Sequence, residues 1–269
     1  MAATLQAPPE TLSVPRRVWF GASDVAVLTK RNLIHLVRVP ALIVFTAIQP
    51  VMFTLLFRYV FGGAIHTSVG AYVEFLIPGI IVQTAAFGSF QTAIALADEL
   101  SRGMIDRFRS MPIARSAVVA GRLASDTLRI TVTVVIILGV GYAVGFRIHT
   151  GPLETIAMVL FSVGFGVAIC CVSACIGLAV KDQESVQAFG LIWLFPLVFA
   201  SGVFVPVATL PAWLAAFARN NPVTLFAEGA RSLSLGTPAG DTIWLSVVWM
   251  VAIVAVFGTL AVRAYRRAA

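Results

Sequence analysis

The sequence predicts an all-α integral membrane protein that crosses the bilayer with six transmembrane helices. The 269-residue chain is 59% hydrophobic and only 12% charged, whereas an ordinary soluble domain is about a quarter charged. Its mean hydropathy is +0.95, and its apolar runs are close to the roughly 20 residues that cross a bilayer. An amino-terminal interfacial helix, a charged cytoplasmic helix and an outer hairpin before the last span complete the predicted fold.

Two segments precede the first span. Residues 1–16 are rich in Pro, Ala and Thr and are expected to form a disordered cytoplasmic tail, with 17–269 as a single transmembrane domain. Residues 17–38 mix apolar side chains with Asp24, Lys30 and Arg31, as a helix lying in the membrane interface does. The predicted spans lie at 41–61, 75–97, 127–146, 155–180, 186–205 and 242–262.

The basic residues orient the chain in the membrane. Fifteen of the 19 Lys and Arg fall in the amino-terminal segment, the loop from 98 to 129, the loop at 181 and the carboxyl tail. Since Lys and Arg are enriched in cytoplasmic loops, both termini are expected in the cytoplasm. The net charge of +7 would suggest nucleic acid binding in a soluble protein. Here the charges lie between apolar runs, so no nucleic acid partner is expected.

The outer segment FVPVATLPAWLAAFARNNPVT contains an apolar stretch, 212–218, that is too short to cross the bilayer. A re-entrant hairpin is one interpretation, since non-helical backbone at membrane depth is tolerated where protein covers it. A surface helix on an ordinary outer loop is the other, and the spacing fits both. Residues 223–235 are expected at the outer interface, before Gly236 and Pro238 break the chain.

Two kinds of chemistry are missing from the sequence. A phosphate-binding loop of the form G-x-x-x-x-G-K-[ST] needs a lysine after a glycine, and neither Lys30 nor Lys181 follows one. His35, His66 and His149 lie in different segments, so no metal site is expected.

The predicted spans carry no ionisable residue near their centres, where such a residue usually marks an ion path. A proton-coupled carrier is therefore disfavoured. Arg129 lies near a span end and is expected to snorkel toward the interface. The most deeply placed polar side chains either bond between helices or contact a moving substrate: Gln49, Gln83 and Gln91.

The fourth predicted span carries small residues at four-residue spacing, which permits close helix contact within the chain or between copies. They are Ser162, Gly166, Cys170 and Ala174. Pro50 and Pro196 are expected to kink the first and fifth spans.

The most charged stretch is DELSRGMIDRFRSMPIARSAVVAGR at 98–122. It is predicted to begin with a helix over 98–111, which Pro112 ends. One face of this helix is apolar and consists of Leu100, Met104, Phe108 and Met111. The other face carries charges that can pair at i+3 and i+4 spacing: Asp98, Glu99, Arg102, Asp106 and Arg109. A solvated surface helix and a docking helix for a cytoplasmic partner both fit this periodicity.

The segment GMIDRFRSMPIARSAVVAGR resembles the cytoplasmic segment between the second and third spans of type-2 ABC exporter permeases of the daunorubicin-resistance kind. FLIPGII at 75–81, GVFVPVATLPAWLAAFARNNPVT and EGARSLSLG resemble the same family in the expected order, from about residue 40 onward. The resemblance implies a coupling helix that docks on a separate ATP-binding subunit through Glu99, Arg102, Gly103, Met104, Asp106, Arg107, Phe108 and Arg109. It also favours a re-entrant outer gate with Pro206, Pro211, Trp213, Asn221 and Pro222.

The resemblance further implies a homodimer, or a pair with a paralogous permease, in the bacterial plasma (inner) membrane, with two copies of the ATP-binding subunit. ATP and Mg²⁺ would bind to that subunit, so this chain is expected to hold no cofactor and not to be an enzyme. The expected function is ATP-driven export of an amphipathic drug-like or lipid-like substrate. A non-transporting membrane scaffold and an ion-coupled carrier are the alternatives.

Overall fold

The chain is described by a computed structural model over residues 25–27, 29–30, 34, 40–65, 67, 70–103, 115–180 and 182–268. Every regular element in this part of the chain is helical, which confirms the all-α class. The predicted tail at 1–16 lies outside the described residues, as does most of the predicted interfacial helix. The described positions within 17–38 are helical, and the Thr29 hydroxyl lies 3.3 Å from the Gly121 carbonyl oxygen.

The helices are named here in chain order. They are α1 (Pro40–Leu56, extended by a π-helical turn Phe57–Phe61), α2 (Tyr72–Gly88), α3 (Phe90–Ser101), α4 (Arg115–Ala143), α5 (Pro152–Ala179), α6 (Gln183–Phe199), α7 (Ala212–Asn220), α8 (Pro222–Leu235) and α9 (Thr242–Ala268). A 3₁₀ turn, Val207–Thr209, precedes α7. Following the predicted orientation, we call the end with the loop after α3 the inner end and the end with α7 the outer end.

Local sequence signals set several helix ends. Pro152 occupies the first turn of α5, where its missing N–H costs no helix hydrogen bond. The Asp182 carboxylate accepts a hydrogen bond of 2.8 Å from the Ser185 amide at the start of α6, which satisfies one free helix donor. Gly236 ends α8 with φ of +72°, a conformation that glycine adopts without steric cost.

Four stretches of described residues are long and apolar enough to cross a membrane: Tyr72–Ser101, Ala117–Ala143, Pro152–Ala179 and Thr242–Tyr265. They correspond to four of the six predicted spans. The predicted spans at 41–61 and 186–205 coincide with α1 and α6, which are apolar but have 17 residues each. Six spans therefore stay a prediction, while the architecture is that of a multi-pass membrane protein.

The predicted span at 75–97 is divided in the structure. It consists of α2 and α3, which are separated at Ser89. There the Thr92 amide bonds the Ser89 carbonyl at 3.0 Å, so it does not bond the Gly88 carbonyl, its regular α-helical acceptor. Apolar composition alone gives no sign of this break.

The helix that holds the third predicted span begins well before residue 127. Helix α4 begins at Arg115, so Arg122, Asp126 and Arg129 all lie within one helix. The prediction that Arg129 snorkels is wrong, since it is 8% exposed and pairs with Asp126 at 3.1 Å. The run of charges interrupts the apolar pattern, but the ion pairs make these residues compatible with a buried helix face.

Helix α5 lies at the centre of the described bundle and packs against α2, α3, α4, α8 and α9. The stripe of small residues that was predicted to allow close contact is buried within the chain. A Cβ at Gly166 would lie 2.9 Å from an Ile130 side-chain carbon on α4. The small residues therefore serve contacts within the chain.

Helix α9 is the most exposed of the four candidate spans. Only 11% of its most apolar window is buried, and Trp244 and Val251 are 68% and 59% exposed. An apolar helix with so large an exposed surface faces lipid or another copy rather than water.

Candidate functional site

The predicted docking segment is described only at its beginning. Glu99, Arg102 and Gly103 lie at the inner end of α3. The rest of the predicted docking residues lie outside the described residues: Met104, Asp106, Arg107, Phe108 and Arg109.

The helix predicted over 98–111 does not begin as a separate element at 98. Its first turn belongs to α3, which ends at Ser101. The Gly103 amide bonds the Leu100 carbonyl at 3.1 Å, and Gly103 has φ of +65°. A left-handed glycine just past the last turn is a common helix terminator, so the chain turns away from α3 before Met104.

An aspartate anchors this inner end to α6. One Asp98 carboxylate oxygen accepts hydrogen bonds from Arg102 Nε at 2.7 Å and from Gln183 Nε2 at 2.6 Å. This Asp98–Arg102 pair has i+4 spacing, as expected for the charged face, while Asp106 lies outside the described residues. The first residues of the docking segment are thus fixed to the start of α6.

A group of buried ions lies behind this end, and we call Arg122, Asp126 and Arg129 the inner ionic cluster. Asp126 Oδ2 lies 3.2 Å from Arg122 Nε, and Asp126 Oδ1 lies 3.1 Å from Arg129 Nη2. The side chains are 17%, 3% and 9% exposed, in chain order. No ionisable residue was predicted near a span centre, but Asp126 and Arg129 lie near the middle of the candidate span Ala117–Ala143, because the sequence shows the charges but not the length of the helix that holds them. The arginine-to-aspartate spacing of four residues in α4 was the available signal.

At the outer end, Asn221 joins α7, α8 and α6. Its side-chain oxygen accepts from the Val223 amide at 2.9 Å, which caps α8. Its side-chain nitrogen donates to the Leu197 carbonyl at 2.6 Å. Asn221 is 2% exposed, so these contacts are made away from water.

The other predicted gate residues differ in exposure. Trp213 is 75% exposed on α7, and Pro211 beside it is exposed as well. Pro206 and Pro222 are half-buried and stand immediately before the 3₁₀ turn and at the start of α8. The outer segment thus has a buried base at Asn221 and an exposed tip at Trp213.

An arginine missed by the sequence analysis holds this segment to α2, and we call its contacts the Arg231 site. Arg231 on α8 donates from Nε to the Phe75 carbonyl at 2.8 Å and from Nη2 to the Val203 carbonyl at 2.9 Å. Its guanidinium carbon lies 3.5 Å from the Phe75 ring centroid. Burial lowers the pKa of Arg231 from its ordinary value, and the nearby Glu228 partly offsets this effect.

Close backbone approach makes the Arg231 site possible. A Cβ at Gly79 would lie 2.6 Å from the Val203 carbonyl oxygen and 2.9 Å from Arg231 Nη2. The Tyr72 hydroxyl donates to the Phe204 carbonyl at 2.8 Å. Helix α8 therefore packs into the bundle, and its place at the outer interface stays a prediction. The only sequence signal was one arginine among small and apolar residues of α8.

The glutamines predicted to line a substrate path are in different environments. Gln83 is 2% exposed, and its side-chain oxygen has no hydrogen-bond partner among the described residues. Gln49 and Gln91 are exposed on the surface of the single chain.

The helical bundle, with its apolar spans, buried ions and polar inner end, defines a multi-pass membrane protein. The ABC-2 type transporter family matches residues 23–235. The chain is 33% identical, over 84% of its length and 80% of the relative, to the daunorubicin resistance ABC transporter permease protein DrrB1 of Streptomyces coeruleorubidus. It is 26% identical, over 89% of its length and 87% of the relative, to a probable doxorubicin resistance ABC transporter permease protein DrrC of Mycobacterium tuberculosis.

A third relative is a probable multidrug ABC transporter permease, YbhR, of Escherichia coli, with 25% identity over 73% of this chain and 53% of that protein. The chain belongs to the ABC-2 type transporter family. It is a membrane permease subunit of an ABC exporter, and this membership confirms the family resemblance of the 98–122 segment. The family implies a partner ATP-binding subunit.

Proposed function

We propose that this chain forms the membrane path for export of amphipathic drug-like or lipid-like molecules across a bacterial plasma membrane. The observation that carries the proposal is the match over most of the chain to relatives named for daunorubicin and doxorubicin resistance. Two copies, or one copy and a paralogue, would enclose the path, with both termini in the cytoplasm.

In this proposal, an ATP-binding subunit docks on the residues that follow α3. Glu99, Arg102 and Gly103 begin the docking surface, and Met104, Asp106, Arg107, Phe108 and Arg109 complete it. The Arg102 side chain is 68% exposed, which leaves it accessible to a partner. ATP and Mg²⁺ bind to that partner, and this chain performs no hydrolysis.

The outer segment acts as the gate in the same proposal. Pro206, Pro211 and Pro222 fix its turns, Asn221 holds its base and Trp213 lies at its exposed tip. Phe204, the first residue of the segment, belongs to an aromatic group with Phe57 and Phe199, and the Phe57 and Phe204 rings are stacked at 4.5 Å between centroids. Such a group would separate a substrate cavity from the outside.

Substrate would pass along the exposed faces of α1 and α3. Gln49 and Gln91 lie on these faces, and Met52 and Tyr59 of α1 are 64% and 71% exposed. Gln83 is a candidate contact only if α2 moves, since its side chain is enclosed in this arrangement.

Co-purification and drug efflux test the proposal together. A tagged chain is co-expressed with its ATP-binding subunit, and daunorubicin efflux is followed in intact cells. We expect R107A/F108A to release the subunit and abolish ATP-dependent efflux, while R147A on the outer loop leaves both unaltered. Retention of the subunit with full efflux in R107A/F108A would refute the docking surface. Efflux by the chain alone under a proton gradient would refute the ATP-driven exporter.

A thiol-labelling experiment tests the orientation. We expect R102C to react with a membrane-impermeant maleimide only after the cells are opened and W213C to react in intact cells. Cys170 and Cys171 are buried, and the half-buried Cys175 is replaced by Ala to lower the background. Reaction of R102C from outside intact cells would contradict the proposed topology.

A further inference from the structure

The break at Ser89 leaves the Gly88 carbonyl without its regular helical donor, and α4 supplies one. The Gly88 carbonyl accepts a 2.8 Å hydrogen bond from Arg129 Nη2. Three residues further along, the Gln91 carbonyl accepts a 3.0 Å bond from Arg122 Nη2. One guanidinium therefore contacts the last residue of α2, and the other contacts the first turn of α3.

A carboxylate connects these two contacts. Asp126 pairs with both arginines and also accepts a 2.6 Å hydrogen bond from the Thr92 hydroxyl on α3. Thr92 is fully buried and Asp126 is 2% exposed. The inner ionic cluster thus binds α4 to both sides of the break through charge-assisted bonds, which are stronger than neutral ones.

Helix α5 holds the break from another side. The Ser173 hydroxyl donates to the Ser89 hydroxyl oxygen at 2.8 Å. A Cβ at Gly177 would lie 2.3 Å from the Ala93 carbonyl oxygen, so the backbones of α5 and α3 are in direct contact. A displacement of α3 along its axis must therefore move α4 and α5 with it or break these contacts.

Helix α3 leads directly into the proposed docking segment. We propose that the inner ionic cluster is the connection through which movement of α3, driven by the ATP-binding subunit, reaches α4. Without it, the break at Ser89 would let α3 bend while α2 and α4 stay in place. Arg122, Asp126 and Arg129 are then positioning residues for transport, and this role rests on the proposed function of the docking segment.

The geometry suits a connection with discrete arrangements. A guanidinium is planar and presents several donors in fixed directions, so it can bond a carboxylate and a carbonyl at once. In a low-dielectric interior, separating such groups is costly, and packed interiors change between discrete states rather than deforming gradually. The cluster therefore transmits a shift of α3 instead of absorbing it.

A double variant distinguishes the loss of coupling between α3 and α4 from the loss of folding. Two arginines and one aspartate give the cluster one net positive charge, and in D126N/R129Q Arg122 alone gives the same charge. The variant removes both charges of the Asp126–Arg129 pair, so neither is left unpaired in place. Arg122 loses its charged partner, but it is the most exposed of the three, at 17%, and keeps its bond to the Gln91 carbonyl. We expect the D126N/R129Q complex to assemble and to hydrolyse ATP near the wild-type rate. Daunorubicin exported per ATP hydrolysed should fall about tenfold, the size of effect seen along coupling elements.

A buried threonine of the same helix supplies the control. Thr133 is 5% exposed, and among the described residues its hydroxyl bonds the Arg129 carbonyl of α4 and no other group. T133V should leave the transport-to-ATPase ratio unchanged, whereas T92V, which removes the hydroxyl bound to Asp126, should lower it about twofold. A normal ratio in D126N/R129Q would overturn the proposal, as would equal losses in T133V and D126N/R129Q.

A second readout is independent of the substrate. Tyr142 is 43% exposed at the outer end of α4, so a fluorophore on Y142C in a C175A background reports movement of this helix. We expect ATP to change its emission in the wild-type complex but not in D126N/R129Q. An equal change in both would overturn the connection. A wild-type complex that shows this ATP response but no export would instead refute the proposed function.

Discussion

The inner ionic cluster and the Arg231 site both use arginine to bond backbone carbonyls inside the bundle, but the arginines have different partners. Each places a guanidinium against backbone carbonyls, Gly88 at the inner end and Phe75 and Val203 at the outer end. At the inner end, a carboxylate lies between two arginines. At the outer end, the hydrogen bonds of Arg231 within the described residues go to carbonyls alone, with the Phe75 ring beneath the charge.

This difference indicates how each region can change. In the inner ionic cluster, Asp126 keeps one partner if the other arginine moves, so a rearranged state remains partly paired. Arg231 has no such alternative acid at bonding distance in the described chain, so moving α8 away from α2 exposes an unpaired charge. The inner contacts are therefore suited to rearrangement and the outer contacts to holding one state.

The largest effect is expected from breaking the outer contacts. R231L should lower the free energy of unfolding by about 3 to 4 kcal/mol, because two buried carbonyls lose charged donors. Thermal unfolding of the detergent-purified protein measures this change. R219L is the matched control on exposed α7, with an expected change of about 0.5 kcal/mol or less. Equal losses in both variants would mean that the buried contacts contribute nothing specific.

The next-largest effect is expected from disturbing the close packing between α5 and α3. G177A should destabilise the protein by about 3 kcal/mol, the upper range for overpacking, because its Cβ would meet the Ala93 carbonyl oxygen at 2.3 Å. Gly139 on α4 has no atom within 4 Å of its Cβ position, so G139A should be neutral or slightly stabilising. The same unfolding assay compares them, and a neutral G177A would show that α5 and α3 separate easily.

Loss of one inner arginine should cost less than loss of Arg231. R129M removes the donor to the Gly88 carbonyl but leaves Asp126 paired with Arg122, which makes the cluster neutral. We expect a loss of about 2 kcal/mol in unfolding free energy. If R129M is more damaging than R231L under the same conditions, the proposed contrast between the two regions is wrong.

The sequence was sufficient for the class of fold because apolar runs report the preference for hydrocarbon directly. Four of the six predicted spans correspond to described helices that are long and apolar enough to cross a membrane, with ends displaced by a few residues, apart from the start of α4. That start was missed because Arg122, Asp126 and Arg129 interrupt the apolar run, and their compensation depends on pairing within the helix. The Ser89 break and the Arg231 site involve partners far apart in the chain, with 156 residues between Arg231 and Phe75, and no local pattern encodes such contacts.

The predicted site residues also divide into those whose structure depends on local sequence and those whose structure depends on distant contacts. Asn221 was predicted as part of the outer gate from the family resemblance. Its place before Pro222 is typical of a helix cap, which depends on local sequence. Gln83 was grouped with Gln49 and Gln91 because all are polar residues in apolar runs. Their burial differs because it depends on which face of each helix packs against a neighbour. A helix that is apolar on all sides gives little indication of which face will be buried.

The smallest predicted effect is a difference in pH dependence between the helix caps at the inner and outer ends of the bundle. At the inner end, the exposed Asp182 carboxylate caps α6, and hydrogen bonds from the Ser185 amide and side chain hold its pKa below the ordinary value of 3.8. A lowered folded-state pKa means that the cap stabilises the protein above the unfolded-state pKa and that this contribution is lost as pH falls through the folded value. At the outer end, the Asn221 amide caps α8 and does not titrate.

Between pH 6 and pH 3, hydrogen exchange should therefore show weakening protection of the Ser185 amide but steady protection of the Val223 amide. D182N keeps a capping oxygen and should abolish the pH dependence at Ser185, whereas a persistent dependence in D182N would assign it to another group.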